Sequence, residues 1–453
     1  MTASIPDLRP RRRWLVAGEF ARAALGRAAL APAALVLMLA FISGALSAQP
    51  VRGTLTDSTR LVPVAGVVVS LLDGNGASVA RTLSNDRGMY YFATRGTASS
   101  LRVQRIGYRA QTLKLPGAVN DITTLNIVMA KLPTLLAPLQ VVDNGCPRRA
   151  DEGSAIALLE QARTGLLATV VARKEMPSTQ TLIRFEREMD GGGSRIIRQS
   201  VHVDSASVKT SSFESAHSAT DFVTRGFTES VEGETIFNAP DAEVLLNDDF
   251  VAAYCFQLAK PERSRVNQVG LAFHAVRSAR NRVDVEGALW IDTVARAIRE
   301  IEFQYKGLAT PIEQLKPGGT IGFREMTSGV VLIDRWTLRL VGVESDTVRS
   351  SGGIRMYGGK GTGEPPSITI RNRFRITETG GELARAVWPD GFTWDAPLST
   401  LTVHASTAKQ LPTAGTMLRL AHTNYEGVTD SAGMLRVSKL IPGPYQLVIV
   451  DPR

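Results

Sequence analysis

Histidine and cysteine are scarce in this chain: five and two among 453 residues. Two cysteines without partner histidines cannot build a four-ligand structural zinc site. The histidines, His202, His217, His274, His404 and His422, are scattered, and none stands in H-x-x-E or H-E-x-x-H. Those are spacings by which a zinc hydrolase brings two imidazoles, or an imidazole and a carboxylate, to one ion. No G-x-S-x-G string occurs, so no nucleophile elbow is announced. "YGGKGTGE", Tyr357 to Glu364, fails as a phosphate loop, because Gly361 follows Lys360 where a hydroxyl residue is required and no helical pattern comes after. It reads as a mobile loop joining strands. Runs of Lys and Arg interleaved with aromatics are missing from the body of the chain, which argues against nucleic acid as a partner. Catalytic, metal and cofactor residues are therefore expected to be none.

Carboxylates and tryptophans are the remaining candidates for chemistry. Glu286, Asp292, Glu300 and Glu302 fall in adjacent strand-like segments, and paired carboxylates can hydrolyse glycosides. Glu300 and Glu302 alternate with Ile301 and Phe303, as the wet face of a half-buried strand does. Trp290, Trp336, Trp388 and Trp394 fit core or edge packing better than a sugar groove.

Apolar residues make up 44% of the chain and charged residues 21%, a globular mixture with enough apolar surface for about two to four domains. The net charge is +9, and the first 48 residues hold six Arg against one Asp and one Glu, a net +4 that leaves +5 for the rest. That leader has three parts. "RPRRRW" is basic, "ALAPAALVLMLAFISGAL" (Ala29 to Leu46) is apolar, and Ala48 precedes Gln49. Their order is that of a secretory signal cut near Gln49, with an uncleaved anchor as the alternative. Export would place the protein in the periplasm, at the outer membrane or outside the cell. In an oxidising compartment Cys146 and Cys255 are expected to be bridged, the alternative being two buried thiols.

From Val51 to Met129 short β-branched runs are separated by turn formers, the pattern of an Ig-like β-sandwich. "LSNDRGMYYF", Leu83 to Phe92, holds a turn in which Gly88 takes positive φ and Asn85 or Asp86 bonds backbone amides. The device returns near the other end. "LPTAGTMLRL" (Leu411 to Leu420) parallels "VPVAGVVVSL" (Val62 to Leu71), and "TDSAGMLRV" (Thr429 to Val437), with Asp430 and Gly433, parallels "SNDRGMYYF". Two shared blocks in the same order predict a repeated module.

Both ends resemble the carboxypeptidase regulatory-like domain, a transthyretin-like β-sandwich. Gly53 to Asp57 carries its "G-x-V-x-D" strand, Pro63 to Val69 its "P-x-x-G-A-x-V" strand, with Val67 for the usual Ala, and Ser84 to Tyr90 its "T-D-x-x-G-x-Y/F" turn, with Asn85 for the usual Asp. At the back, Thr429 to Gly433 repeats the turn, and "IPGPYQLVIV" carries "P-x-G-x-Y-x-L". The resemblance implies a carbohydrate-binding-like fold, which identifies architecture and not sugar binding.

Between the modules, Ser154 to Glu175 reads as one amphipathic helix with Ile156, Leu159, Ala162, Leu166 and Val170 on its buried face and Ser154 as cap. Strand patterns follow, as in Val283, Val285, Gly287, Leu289 and Ile291 against Asp284, Glu286, Trp290 and Asp292. They predict an antiparallel meander with one helix. "LWIDTVARAIREIEFQY" loosely resembles the strand repeats of periplasmic lipoprotein-carrier half-barrels.

The expected protein is mainly β. A signal occupies 1–48, a transthyretin-like sandwich 49–131, a linker and helix 132–178, an antiparallel domain 179–395, and a second, partial sandwich 396–453. The second module has one strand after its turn-strand where the first has three, which points to a fragment, an edge covered by the middle domain, or a partner that adds a strand. The expected role is non-catalytic binding or scaffolding in the cell envelope, with glycan, lipid or another envelope protein as partner. A lipid or lipoprotein carrier and a hydrolase with an unrecognised site are the alternatives. A filled middle domain would favour the scaffold and a lined cavity the carrier.

Overall fold

A computed structural model describes residues 49–450 apart from 118–121, 134–145, 147–151, 209–211, 232–233, 277–281, 351–353, 358–359 and 364–366. The expected signal and most of the expected linker lie outside the described residues.

The first module has strands β1 (Val51–Asp57), β2 (Val68–Leu72), β3 (Ser78–Leu83), β4 (Met89–Phe92), β5 (Ser100–Gln104), β6 (Gln111–Lys114), β7 (Thr123–Thr124) and β8 (Ile127–Met129). They form two sheets: β1 lies between β4 and the β7 and β8 pieces, and the other sheet runs β3-β2-β5-β6. Alternation along β1 sends Val51, Gly53, Leu55 and Asp57 inward. Tyr90, Leu101, Val103, Ile127 and Met129 meet them in one core.

Helix α1 (Glu152–Glu175) follows. It begins two residues before Ser154, so Ser154 is inside the helix and is not its cap. Its burial also differs from the predicted single face. Ala155, Leu158, Ala162 and Leu166 are fully buried, and so are Ala157, Ala168, Val171 and Ala172, while Ile156, Leu159 and Val170 are only half-buried. The cause is tertiary, because α1 is sandwiched. Val68, Leu83 and Ile106 of the first module pack on it from one side and the long sheet from the other. At Gly165, Ile106 and Ile298 come in from these two layers.

The middle region opens with β9 (Thr179–Met189), β10 (Ile196–Val208), α2 (Ala219–Arg225), β11 (Thr228–Val231), β12 (Glu234–Phe237), α3 (Ala242–Leu246) and α4 (Asp248–Ala253). It continues with β13 (Tyr254–Leu258), β14 (Gln268–Ala275), β15 (Asp284–Asp292), β16 (Ala297–Lys306), α5 (Thr310–Glu313), β17 (Gly318–Glu325) and β18 (Val331–Ser350). Then come β19 (Ile354–Tyr357), β20 (Lys360–Gly363), β21 (Ser367–Val387) and β22 (Thr393–Asp395). One antiparallel sheet of ten strands runs β10-β9-β21-β18-β17-β16-β15-β14-β13, with β22 on β21. The meander expectation holds for β13 to β18. The single-helix expectation does not, since α2, α3 and α4 join α1 over the sheet; Ser218, Asp241 and Asn247 cap them. Described residues of the glycine-rich stretch read as a loop pair as strands, with Ile354 opposite Gly363 and Tyr357 opposite Lys360.

The last module has β23 (Ser399–His404), β24 (Met417–Leu420), β25 (Glu426–Val428), β26 (Met434–Leu440) and β27 (Leu447–Val450). β23 pairs with β26 as β1 does with β4, and β24 lies between β25 and β27 as β2 lies between β3 and β5. The correspondence extends to single hydrogen bonds. Leu55 N donates to Gly88 O at 2.8 Å, Val64 N to Leu55 O at 3.0 Å and Gly88 N to Asn85 O at 2.9 Å. Ala405 N, Thr413 N and Gly433 N donate to Gly433 O, Ala405 O and Asp430 O at 2.8, 3.0 and 2.9 Å. Ser84 Oγ bridges Val67 N and Val64 O, as Thr429 Oγ1 bridges Thr416 N and Thr413 O.

Gly88 and Gly433 sit at φ +69° and +72°. A Cβ on either would lie 2.4 Å from a carbonyl oxygen, of Leu55 or Ala405. Left-handed backbone and this close approach both require glycine. Gly88→Ala and Gly433→Ala should each cost about 2 kcal/mol, read as a lowered urea midpoint. Equal stability of a variant would show that its turn relaxes freely.

Candidate functional site

Cross-strand register determines what each face of the long sheet presents. Directly paired residues share a face, so Gln257, Ala272, Ala288, Glu302, Thr320, Thr337, Gly380, Phe185 and Val201 form one row across nine strands. A neighbouring row on that face reads Gly270, Trp290, Glu300, Gly322, Arg335, Glu382 and Ile183. The opposite face carries Leu271, Leu289, Ile301 and Ile321 and is covered by α1. The first face is therefore divided: the last module covers Ile183, Phe185 and Val201, and the β13 to β18 end is open.

That open end is a groove of about 850 Å³ whose lining includes Gln257, His274, Trp290, Glu302, Thr320 and Arg339. Trp290 lies in its floor and is 2% exposed, although strand alternation alone predicts a wet position. Its Nε1 donates to Glu302 Oε1 at 2.7 Å, and the Arg265 guanidinium stands 4.3 Å over its ring. Arg265 also donates to Glu300 at 2.8 Å and Glu302 at 2.7 Å, and Arg335 reaches Glu300 at 3.1 Å. Burial alone would lower the Arg265 pKa; the Glu300 and Glu302 carboxylates more than offset it and hold the cation. Asp284, also expected to be wet, is buried beside Arg282 at 3.0 Å.

All four predicted carboxylates are ion-paired: Glu286 with Lys306 at 2.9 Å, Asp292 with Arg299 at 3.0 Å, and Glu300 and Glu302 with Arg265. A general acid for glycoside hydrolysis needs a carboxyl kept protonated in an apolar setting; a guanidinium partner favours the charged form instead. Capping by Arg265 also closes the face on which a sugar ring would stack. Trp336 packs on Phe213 with centroids 5.3 Å apart, Trp388 on Phe392 at 5.3 Å, and Arg324 lies 5.4 Å over Trp394.

The histidines do not converge. His217 contacts Glu229 at 3.2 Å, His202 lies 3.6 Å from Asp204, His404 meets Ala432 O at 3.0 Å, His274 lines the groove, and His422 O accepts from Val201 N. Among the described residues no three His, Cys, Asp or Glu side chains form a metal-binding cluster.

The predicted turn residues act locally. Asn85 Oδ1 accepts from Arg87 N and Met89 N at 3.0 and 2.9 Å, while Asp86 is exposed beside it. Asp430 Oδ1 accepts from Ala432 N and Met434 N, both at 2.9 Å. Cys146 and Cys255 are bonded, with Cα atoms 5.6 Å apart. Asp57, known in sequence only as a motif position, ends β1 fully buried. It accepts from Thr59 N, Arg60 N and Tyr108 Oη and pairs with Lys131 at 2.6 Å. No local signal joins Asp57 to Lys131, which is why sequence alone misses the pair.

Both modules are fastened to the long sheet by specific contacts. Arg105 reaches Glu325 at 2.7 Å, and Gly107 N donates to Gln161 Oε1 of α1 at 2.8 Å. At the far edge Val201 N donates to His422 O at 3.0 Å, Val203 N to Asn424 Oδ1 at 2.8 Å, and Arg187 to Pro442 O at 2.7 Å.

The first module is thus a closed two-sheet sandwich. Its residues 50–130 match the family model of the carboxypeptidase regulatory-like domain, and this part of the chain is such a domain. No curated protein matches the sequence. Among solved structures, the major pilin subunit BcpA of Bacillus cereus is 10% identical, with 88% of this chain and 87% of that chain covered and a TM-score of 0.14. A putative membrane-associated protein of unknown function from Bacteroides fragilis is 10% identical, with 74% and 97% covered and a TM-score of 0.15.

Proposed function

We propose that this protein is an exported, non-catalytic scaffold of the cell envelope, which holds two regulatory-like β-modules on opposite faces of one long sheet. The observation that carries the reading is the close packing of the three parts on one another. α1 is buried between the first module and the sheet, and the last module closes over Ile183, Phe185 and Val201. A catalytic protein holds reactive groups partly free, whereas here the groove's carboxylates and guanidinium groups are locked to each other. The apolar face of the sheet is filled by α1 to α4, which supports a scaffold over a lipid carrier needing that face open. A glycan or an envelope protein then meets the outer surfaces of the modules.

Fractionation of cells expressing the full chain tests the location. The product is expected outside the cytoplasm with its first residue near Gln49. An intact chain in the cytosol would overturn the envelope reading.

A further inference from the structure

The charged and the neutral groups of the open groove differ in one respect. The carboxylates in and beside it are matched by cations of the protein itself: Glu262, Glu300 and Glu302 by Arg265, Glu286 by Lys306, and Glu378 by Arg339 at 3.0 Å. The neutral side chains are not matched. Gln257, His274, Gln304, Thr320 and Thr337 line the groove half-buried, and among the described residues none of these side chains has a hydrogen-bond partner. Gln257 Oε1 is enclosed without a partner, and a buried acceptor left so lowers stability until a donor reaches it.

Strand register decides where these groups stand. Gln257, Thr320 and Thr337 belong to the row that also holds Ala272 and Ala288. His274 and Gln304 lie two residues along their strands from Ala272 and Glu302, and so on the same face. Two amides, an imidazole and two hydroxyls therefore cross the sheet from β13 to β18. Ala272 and Ala288 keep the middle shallow, and Gly318 puts no side chain between Gln304 and Arg339. Five strand spacings make this stripe about 24 Å long.

Two cations are left over. Lys260 follows β13 and Lys316 precedes β17. Both are exposed, both line the groove, and neither has an acidic partner among the described residues. Four strand spacings, about 19 Å, separate their strands.

We propose that this groove binds an extended peptide segment of another protein, laid across the strands, with short uncharged side chains in its middle and an acidic residue at each end. Amide and hydroxyl side chains both donate and accept, so the stripe suits the alternating N–H and C=O groups of a main chain. Lys260 and Lys316 supply the complement to the acidic ends, and about six residues of extended chain cover the distance between them. A glycan fits less well, because Arg265 covers the one indole of the groove on which a sugar ring would stack. Among the segments of this sequence outside the described residues, none has two acids enclosing an uncharged run, so the occupant of this chemistry comes from another molecule.

Fluorescence polarisation with the full-length protein and a labelled, end-blocked heptapeptide, Asp-Thr-Ala-Thr-Ala-Thr-Asp, tests this. Saturable binding is expected with a Kd below about 1 mM, weakening as salt rises. The same peptide with Lys at both ends should not bind, a comparison that uses the wild-type protein and needs no variant to fold. Lys260→Glu combined with Lys316→Glu should weaken binding about tenfold. Gln304→Leu combined with Thr337→Val should do the same through lost hydrogen bonds, and an unchanged urea midpoint verifies the fold of each double variant. No saturation, equal binding of the Lys-ended peptide, or indifference to either folded double variant would overturn the proposal. A neutral or an acidic hexasaccharide that binds where the peptide does not would assign the groove to glycan and overturn it too. None of these outcomes depends on the compartment found by fractionation, so the two readings fail separately.

Discussion

Cys255→Ser is expected to lower stability by about 4 kcal/mol under oxidising conditions. The bond joins residues 109 apart, and a cross-link across so long a loop removes much of the freedom of the unfolded chain. Its place adds to the effect. Cys255 is buried in β13, the outermost strand of the long sheet on that side, paired to His274 of β14. Tying Cys146 to β13 anchors the connection between the first module and α1 to the far end of the sheet. Urea unfolding with and without reductant measures this: the wild-type midpoint should fall on reduction to near that of the variant. Thiol labelling of the exported protein before unfolding should find no free cysteine. Two reactive thiols, or a midpoint insensitive to reductant, would show separate cysteines.

Asp57→Ala should cost about 3 kcal/mol. Asp57 is fully buried and takes bonds from two amides, a tyrosine and Lys131. The Lys131 ammonium holds its carboxyl well below the usual range, against burial, which pushes the other way; the Thr59 and Arg60 amides help. Removing the carboxylate strips β1 and the end of β8 of their common tie. Lys131 is partly exposed, so it can turn to water, and the cost stays below that of a fully enclosed pair. A depressed carboxyl stabilises the fold fully above its unfolded pKa, near ~3.9, and loses that contribution as pH falls toward its folded value. The difference between variant and wild type should therefore be constant from about pH 6 to pH 5 and narrow below about pH 4. A gap that does not change with acid would mean that the charge of Asp57 contributes nothing.

Local patterns carried much of the architecture. The turn formers around Gly88 and Gly433, and the Pro-x-x-Gly blocks before them, are backbone requirements visible in one dimension, because positive φ and a carbonyl 2.4 Å from a Cβ position leave only glycine. The two matching blocks correspond to two turns with matching backbone hydrogen bonds, down to the threonine or serine that bridges the same two backbone groups. Strand alternation likewise made the meander from β13 to β18 legible. Alternation and helical spacing describe one partner per face, and they failed wherever a second layer intervened. α1 looked one-sided and is buried on two sides because the first module lies over it. Trp290 fell on the wet side of the pattern and is buried under Arg265, which comes from the separate turn before β14; Asp284 fell there too and is buried beside Arg282, its near neighbour in the chain. The capped groove and the Asp57–Lys131 tie are both products of segments distant in sequence. Which charges meet is decided only when the sheets are stacked, because pairing energy depends on separation in space and the sequence records separation along the chain.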